Sequence, residues 1–326
     1  MAAIKISQFI DCALFDRLAG YYQTKNPIGK NSDFITSPEI SQTFGEIIAA
    51  YILQTFLPQN SFSFVEMGAG KGTLYFDILS VITKLAANKN QLALDFLRHA
   101  TFHIVEINPI LKKIQQEKLR DFDILWHDKF DDFAGEILFI SNELFDCFPI
   151  DQFVKTDLGW CERLIDENKF VTANFDPAID RFVRNLITDN SPFGAVFEYS
   201  QKAREFMAQL CQAIKTQGGM AINFDYGYFK TDFANSLQAI KNHRKTDIFE
   251  SNCDITAHVD FAALDQIAKN HNLASSLITQ REFLVALGIE ERKKKLPTNQ
   301  HSAIDRLIDP SQMGELFKCH IIWKKP

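Results

Sequence analysis

One stretch, Phe62 to Thr73 (FSFVEMGAGKGT), constrains the fold of this chain more than any other. Phe62, Phe64, Val65 and Met67 form a short apolar run suited to one buried strand, and Gly68, Ala69, Gly70, Lys71 and Gly72 bring it to a sharp end. From Thr73 the period changes: Leu74, Ile78, Leu79, Ile82 and Leu85 recur at helical spacing. A strand, a glycine turn and a helix in that order open a nucleotide-binding α/β unit. Glycine suits the turn because a backbone without Cβ reaches positive φ and lets a ligand lie against its N–H groups. Close packing without a ligand is the competing use of such a turn.

The dinucleotide fingerprint requires G-x-G-x-x-G, followed about 20 residues later by an acid. Here the glycines run G-x-G-x-G, and Thr73 stands where the third fingerprint glycine would be. Glu66 lies two residues before the first glycine, and the next strand-end acid, Glu106, follows a longer helix and connection. An E-x-G-x-G with a later strand-end acid resembles motif I of the class I S-adenosylmethionine methyltransferases. That likeness implies a glycine turn facing the amino acid part of the cofactor and an acid that takes the ribose hydroxyls.

Along the chain, Ile4, Ile6, Phe9, Ile10, Leu14 and Leu18 predict an amphipathic helix over residues 4 to 19, and a polar loop follows through Asn26, Pro27, Gly29 and Lys30. Ser37-Pro38-Glu39 reads as a helix start, a small polar residue with proline at the first helical position. Capping alone would account for Thr36, Ser37 and Glu39. Further strands are expected at 101 to 107, Asp123 to Trp126, Glu136 to Ser141, Met220 to Gly227, 273 to 278 and 317 to 324. Strands alternating with helices indicate a mostly parallel sheet with helices on both faces, and ligands of such sheets lie beyond the carboxyl ends of the strands. Glu66, Gly68, Glu106, Asp128, Asn142 and Glu143 all fall at or just beyond such ends. Gln152 to Val154 and Cys161 to Ile165 suggest a hairpin around Asp157-Leu158-Gly159 followed by a polar insertion, and 228 to 257 reads as a long loop. REFLVALGIEERKKKL reads as helical, with Lys293 to Lys295 a solvated end rather than a nucleic-acid patch.

Composition excludes several classes. A chain of 326 residues with 46% hydrophobic and 23% charged residues can bury a full core, and a net charge of −6 gives no electrostatic footprint for nucleic acid. No run of about 18 apolar residues exists, so no membrane span is expected. The start lacks secretory character, with Asp11 and Asp16 inside its apolar part, and it is neither arginine-rich nor acid-free as a transit peptide would be. The cytoplasm is the expected address. Six cysteines lie far apart with no C-x-x-C and no histidine at ligand spacing, as expected of buried thiols rather than a metal site. No apolar stripe stands clear of the expected core, so the sequence does not speak to oligomeric state.

Taken together, SDFITSPEISQTFGE, VEMGAGKGTL, WHDKF, ISNELFDCFPIDQF, DYGY, DITAHVDFAAL and RLIDPSQMGELFK resemble the MidA-like methyltransferases in order and spacing, over nearly the whole chain. The resemblance implies a class I methyltransferase fold: a Rossmann-like, mostly parallel seven-stranded sheet preceded by an N-terminal helical segment (1–58) closing over the cofactor. The core (59–326) would carry insertions at about 150–199, 228–257 and 280–315. It implies S-adenosylmethionine as cofactor, contacted by Gly68, Ala69, Gly70 and Gly72, with Glu66 bracing the turn, Glu106 on the ribose and Asp128 near the adenine. Asn142, Glu143 and Asp146 would frame the acceptor, and Thr36, Ser37, Pro38 and Glu39 would close over the cofactor. Ala69 stands where the family often has proline, and Ser32 where glycine usually precedes the aspartate. Mitochondrial members assist assembly of respiratory complex I and symmetrically dimethylate an arginine of one of its subunits, so a protein substrate presenting an arginine is implied.

Carboxylates pair bidentately with a planar guanidinium, which makes Glu143 with Asp146 the expected acceptor pair. Helix capping is the competing role for Asn142 and Glu143, and a loop hydrogen bond is the competing role for His258. Three readings remain at this point: a protein arginine methyltransferase, an assembly factor that holds a partner without transferring methyl groups, and a protein of the dehydrogenase type, which the glycine spacing disfavours.

Overall fold

The computed structural model describes residues 3–24, 35–174, 183 and 191–325. The polar loop expected around Asn26 to Lys30, the Ser32 position and most of the polar insertion after the hairpin lie outside them. Seven strands build the central sheet: β1 (Phe62–Met67), β2 (Ala100–Val105), β3 (Ile124–His127), β4 (Glu136–Asn142), β5 (Gly219–Tyr228), β6 (Ala274–Thr279) and β7 (Phe317–Trp323). Their order is β6-β7-β5-β4-β1-β2-β3. All neighbours from β5 to β3 pair in parallel, and β7 runs antiparallel to both β5 and β6. The short strand Val259–Asp260 adds in parallel to the end of β5, so the sheet has eight strands where seven were expected.

The strand period of two explains the layers. Phe64 and Val65 are neighbours in β1, yet Phe64 packs with Phe44, Ile78, Phe224 and Leu284 on one face, and Val65 packs with Met207, Leu210 and Phe261 on the other. Helices Gln42–Thr55, Thr73–Ala87 and Gln280–Ala286 cover the first face; Gln201–Gln217 and Phe261–Asn270 cover the second. With both faces covered, β1 and β4 are buried along nearly their whole length, which is why they read as continuous apolar runs. Each fully buried aromatic or aliphatic side chain here contributes about 1.5–3 kcal/mol.

Outside this sheet the expected hairpin is present: Asp151–Thr156 pairs antiparallel with Gly159–Asp166. Lys169–Asn174, Val196–Tyr199 and the N-terminal Ile4–Lys5 complete a second sheet. Residues 228 to 257 are not the loop that was expected. Gln238–Lys241 pairs with Arg244–Thr246 and with Asp254–Thr256 in a third sheet. These strands are too short and too polar to show a period, and they hold because Ala239 and Ile255 join a separate core. That core also contains Ile6, Ile10 and Leu14 of the helix Ile6–Phe15, so the N-terminal segment packs on the insertions. The helix expected over REFLVALGIEERKKKL breaks into Gln280–Ala286 and Ile289–Lys294, because Gly288 takes φ +85 between them.

Candidate active site

The carboxyl ends of β1, β2 and β4 open into a cavity of about 340 Å³. Its floor is the glycine turn. Gly68, Gly70 and Gly72 have φ of +68, +54 and +72, the left-handed region that residues with a Cβ avoid. A Cβ on Gly68 would sit 3.1 Å from Leu144 Cδ1, so the turn also requires glycine to let the segment after β4 approach. Gly72 N–H donates to Ala69 O at 2.7 Å, and Gly72 then caps the helix Thr73–Ala87. Gly68, Ala69 and Gly70 line the cavity, whereas Gly72 packs against Leu119 and Gln115 beneath it.

Two acids flank this floor. Glu66, at the end of β1, is buried with Oε2 unpartnered among the described residues, and burial together with the Glu106 carboxylate pushes its pKa up to about 8. Glu106, just past β2, is also buried and pushed up to about 7 by burial. Its Oε1 accepts from Asn108 N–H at 2.7 Å and its Oε2 from Gln115 Nε2 at 2.9 Å. Val105, Ile107 and Leu111 give the cavity an apolar end beside Glu106. Asp128 does not reach it. The chain turns outward after β3, and the Asp128 side chain is 86% exposed and paired with Lys112 Nζ at 3.3 Å.

Gln115 is a site residue that sequence reasoning missed. It is fully buried in the helix Pro109–Lys118, and its Nε2 donates both to Glu106 and to Gly70 O at 2.9 Å, while its Oε1 accepts from Trp126 Nε1 at 3.1 Å. One amide thus ties the strand-end acid, 9 residues before it, to the glycine turn, 45 residues before it. The one available signal was a polar residue on the apolar stripe of Ile114 and Leu119, which is compatible with many roles. Replacing Gln115 by leucine leaves Gly70 O and Glu106 Oε2 without this donor, while Asn108 N–H still holds Glu106 Oε1. The expected result is about 10–100-fold weaker binding, by calorimetry, of the S-adenosylmethionine that the resemblance implies, an effect of the size that outer-shell partners have at metal sites. An unchanged affinity in the folded variant would remove Gln115 from the site.

On the other side of the turn, Glu143 follows β4 with φ +54, an unusual conformation for a non-glycine residue, and its N–H donates to Phe224 O at 2.8 Å. Its Oε1 accepts from Asn142 Nδ2 at 2.9 Å and from Ser37 N–H at 3.3 Å. Asn142 and Glu143 both line the cavity, and Asn142 Oδ1 has no partner among the described residues. The capping reading for this pair does not hold, because no helix begins there. Burial, with Asp146 adding negative charge, pushes the Glu143 pKa up to about 8. Asp146 itself faces away from the cavity: its Oδ2 accepts from Tyr226 OH at 2.5 Å, and burial raises its pKa. Asp225, fully buried at the end of β5, accepts from the N–H groups of Phe145, Asp146 and Tyr226 at 2.8, 3.1 and 2.9 Å and so shapes the segment after β4. His258 lines a separate small cavity behind that segment, and its backbone N–H donates to Ser236 Oγ at 2.8 Å.

The turn Thr36 to Glu39 touches both sides. Thr36, Pro38 and Glu39 line the cavity. Ser37 is buried, reaching Glu143 through its N–H and Gln280 Oε1 through its hydroxyl at 3.4 Å. Glu39 accepts from Thr73 Oγ1 and pairs with Lys71 Nζ at 3.5 Å, and Lys118 Nζ donates to the same Thr73 hydroxyl.

A left-handed glycine turn exposing N–H groups, a buried strand-end acid and unpartnered acceptors on Glu66 and Asn142 fit a cofactor carrying ribose hydroxyls and a cationic amino acid end. With the strand order β6-β7-β5-β4-β1-β2-β3 and an antiparallel β7, they define a class I S-adenosylmethionine-dependent methyltransferase. The comparisons agree. Residues 45–279 match the sequence model of a family described as S-adenosyl-L-methionine-dependent methyltransferases, and the chain belongs to that family. It is 30% identical to the Drosophila melanogaster "Protein arginine methyltransferase NDUFAF7 homolog, mitochondrial", over 97% of this chain and 80% of that one. It is 29% identical to the Danio rerio NDUFAF7 protein, likewise named a mitochondrial protein arginine methyltransferase, over 97% of this chain and 82% of the other. A Burkholderia thailandensis crystal structure with bound S-adenosyl-homocysteine superposes with a TM-score of 0.82 at 25% identity, covering 99% of this chain and 88% of that one. Among the described residues no helix is long and apolar enough to cross a membrane.

Proposed function

We propose that this methyltransferase acts on an arginine presented by a partner protein, with Asn142 and Glu143 at the acceptor. One observation carries this reading. Glu143, half-buried, lines the cavity in front of two buried carboxyl groups, Asp146 and Asp225, and none of the three has a lysine or arginine ion-pair partner among the described residues. Buried acids without a counter-charge are costly, and a planar cation entering the cavity would supply the missing charge.

The cofactor, held by the glycine turn, Glu66 and Glu106, supplies an electrophilic methyl group. The protein's part is to position and to manage one proton. Glu143 receives the guanidinium edge; the amides of Asn142 and Ser37 fix its Oε1 and leave Oε2 for the acceptor. The acceptor nitrogen gives up a proton as it becomes methylated, and Glu143, with its raised pKa, takes it. Behind Glu143, Asp146 accepts from Tyr226 OH and Asp225 from three backbone N–H groups, and burial raises the pKa of both. In this reading residues 1–58 close over the cofactor and 59–326 form the transferase core, Asp128 contributes at most through Lys112, and the apolar end by Leu111 takes the adenine. The family resemblance extends the reading to symmetric dimethylation of a respiratory complex I subunit, in a bacterial cytoplasm or in a mitochondrial matrix.

The pH dependence has a definite sign. Glu143 must lose its proton to hold a cation, and in the free enzyme it does so near pH 8. The expected kcat/KM rises about tenfold per pH unit below that value and is flat above it. The direct test is incubation with S-adenosylmethionine and arginine-containing peptides or lysate proteins, followed by mass spectrometry for methylarginine. Methylation confined to lysine, or cofactor binding with no transfer to any protein, would defeat the arginine reading. The second outcome would favour an assembly factor that only holds its partner.

A further inference from the structure

The N-terminal segment supplies part of the wall of the same cavity. Phe15 and Tyr22 line it together with Glu143 and Phe148. The Phe15 and Tyr22 rings stack at 5.7 Å between centroids with their planes 21° apart. Tyr22 belongs to a helix of one turn, Tyr21–Thr24, which by itself would hold an aromatic ring loosely. The ring is nonetheless fixed, because its hydroxyl donates to Asp254 Oδ1 at 2.8 Å. Asp254 is a buried acid on the third sheet, 232 residues along the chain, and its charge and the surrounding burial keep the Tyr22 hydroxyl protonated and donating. An insertion outside the cavity wall therefore holds an aromatic side chain in the same cavity as Glu143, and Asp254 is near enough for its charge to act on Glu143 as well.

We propose that Tyr22 is a specificity-determining residue: its pinned ring is the face against which the plane of the acceptor guanidinium lies, while Glu143 takes the edge. The inference rests on the arginine reading given above and names the residue that selects the guanidinium. A guanidinium is planar, delocalised and weakly hydrated, so it can stack on a ring and present its edge to a carboxylate at once. The lysine ammonium is compact and strongly hydrated, and it gains less from an aromatic wall. Asp254 and the stacked Phe15 act through Tyr22 as positioning residues.

The test is calorimetry on the S-adenosyl-homocysteine-loaded protein with acetyl-Gly-Arg-Gly-amide and its lysine counterpart as probes. Wild type is expected to prefer the arginine peptide. Tyr22→Leu is expected to lose about 10-fold or more of the arginine affinity and most of the preference, with S-adenosyl-homocysteine affinity within about threefold of wild type. Tyr22→Phe keeps the ring and loses the pin, so it should keep the preference with a smaller loss of affinity. A Tyr22→Leu protein that binds cofactor product and arginine peptide as wild type does would overturn this role and leave the arginine reading standing. A loss of cofactor-product affinity as large as the peptide loss would overturn it too, by making Tyr22 a cofactor cover. Equal binding of both peptides by wild type would sink the arginine reading and the role of Tyr22 together.

Discussion

Glu143→Gln is expected to abolish most methyl transfer while leaving the cofactor bound. The amide keeps the shape and the backbone hydrogen bond to Phe224, but it can neither balance the charge of a cation nor accept its proton. Loss of a general base lowers rates by about 10²–10⁴-fold, or about 2.7–5.5 kcal/mol of transition-state stabilisation. The effect should appear in kcat and kcat/KM, and the rise of kcat/KM toward pH 8 should disappear with the group that causes it. Binding of S-adenosyl-homocysteine should change by no more than about threefold, since Glu143 lies on the acceptor side. The stability cost is small, because the left-handed φ is tolerated by glutamine as poorly as by glutamate. A variant with wild-type kcat and an unaltered pH profile would show that another group accepts the proton.

Gly70→Val acts on the opposite side and should remove cofactor binding. Gly70 sits at φ +54 on the cavity wall, where a β-branched residue is both strained and in the ligand's path. Strain of this kind costs about 1–3 kcal/mol in stability, visible as a melting temperature lower by several degrees. Calorimetry should show S-adenosyl-homocysteine affinity reduced by at least about 100-fold, because the turn must open or the ligand must lift from the N–H groups that bind it. A folded Gly70→Val protein with wild-type affinity would mean that the cofactor does not lie on this turn. Glu143→Gln should therefore remove transfer and spare cofactor binding, whereas Gly70→Val should remove binding and transfer with it.

Much of the architecture was written locally. Phe62 to Met67 announces a strand buried on both sides, the helical stripe from Leu74 announces the helix, and three positive-φ glycines between them leave few other solutions. The acids at strand ends, Glu66 and Glu106, could be named because topology places such ends together in any sheet of this class. The same reasoning put Asp128 at the cavity, where it is absent. A strand end locates a backbone but not the direction in which the next residue points, and this one points into solvent beside Lys112.

The sequence by itself determined the parallel sheet, the glycine turn and the presence of Asn142-Glu143 at its rim, since strand period, helix period and turn chemistry act over a few residues. Tertiary structure alone decided how those groups are held. Gln115 reaches Gly70, Asp225 organises the backbone of Phe145 and Asp146 from 80 and 79 residues away, Ser37 orients Glu143, and Tyr22 finds Asp254. Each of these is one polar contact between distant segments, made where the local pattern is silent or reads as capping. No period records such a contact, because its energy depends on burial that only the assembled sheet and its insertions create.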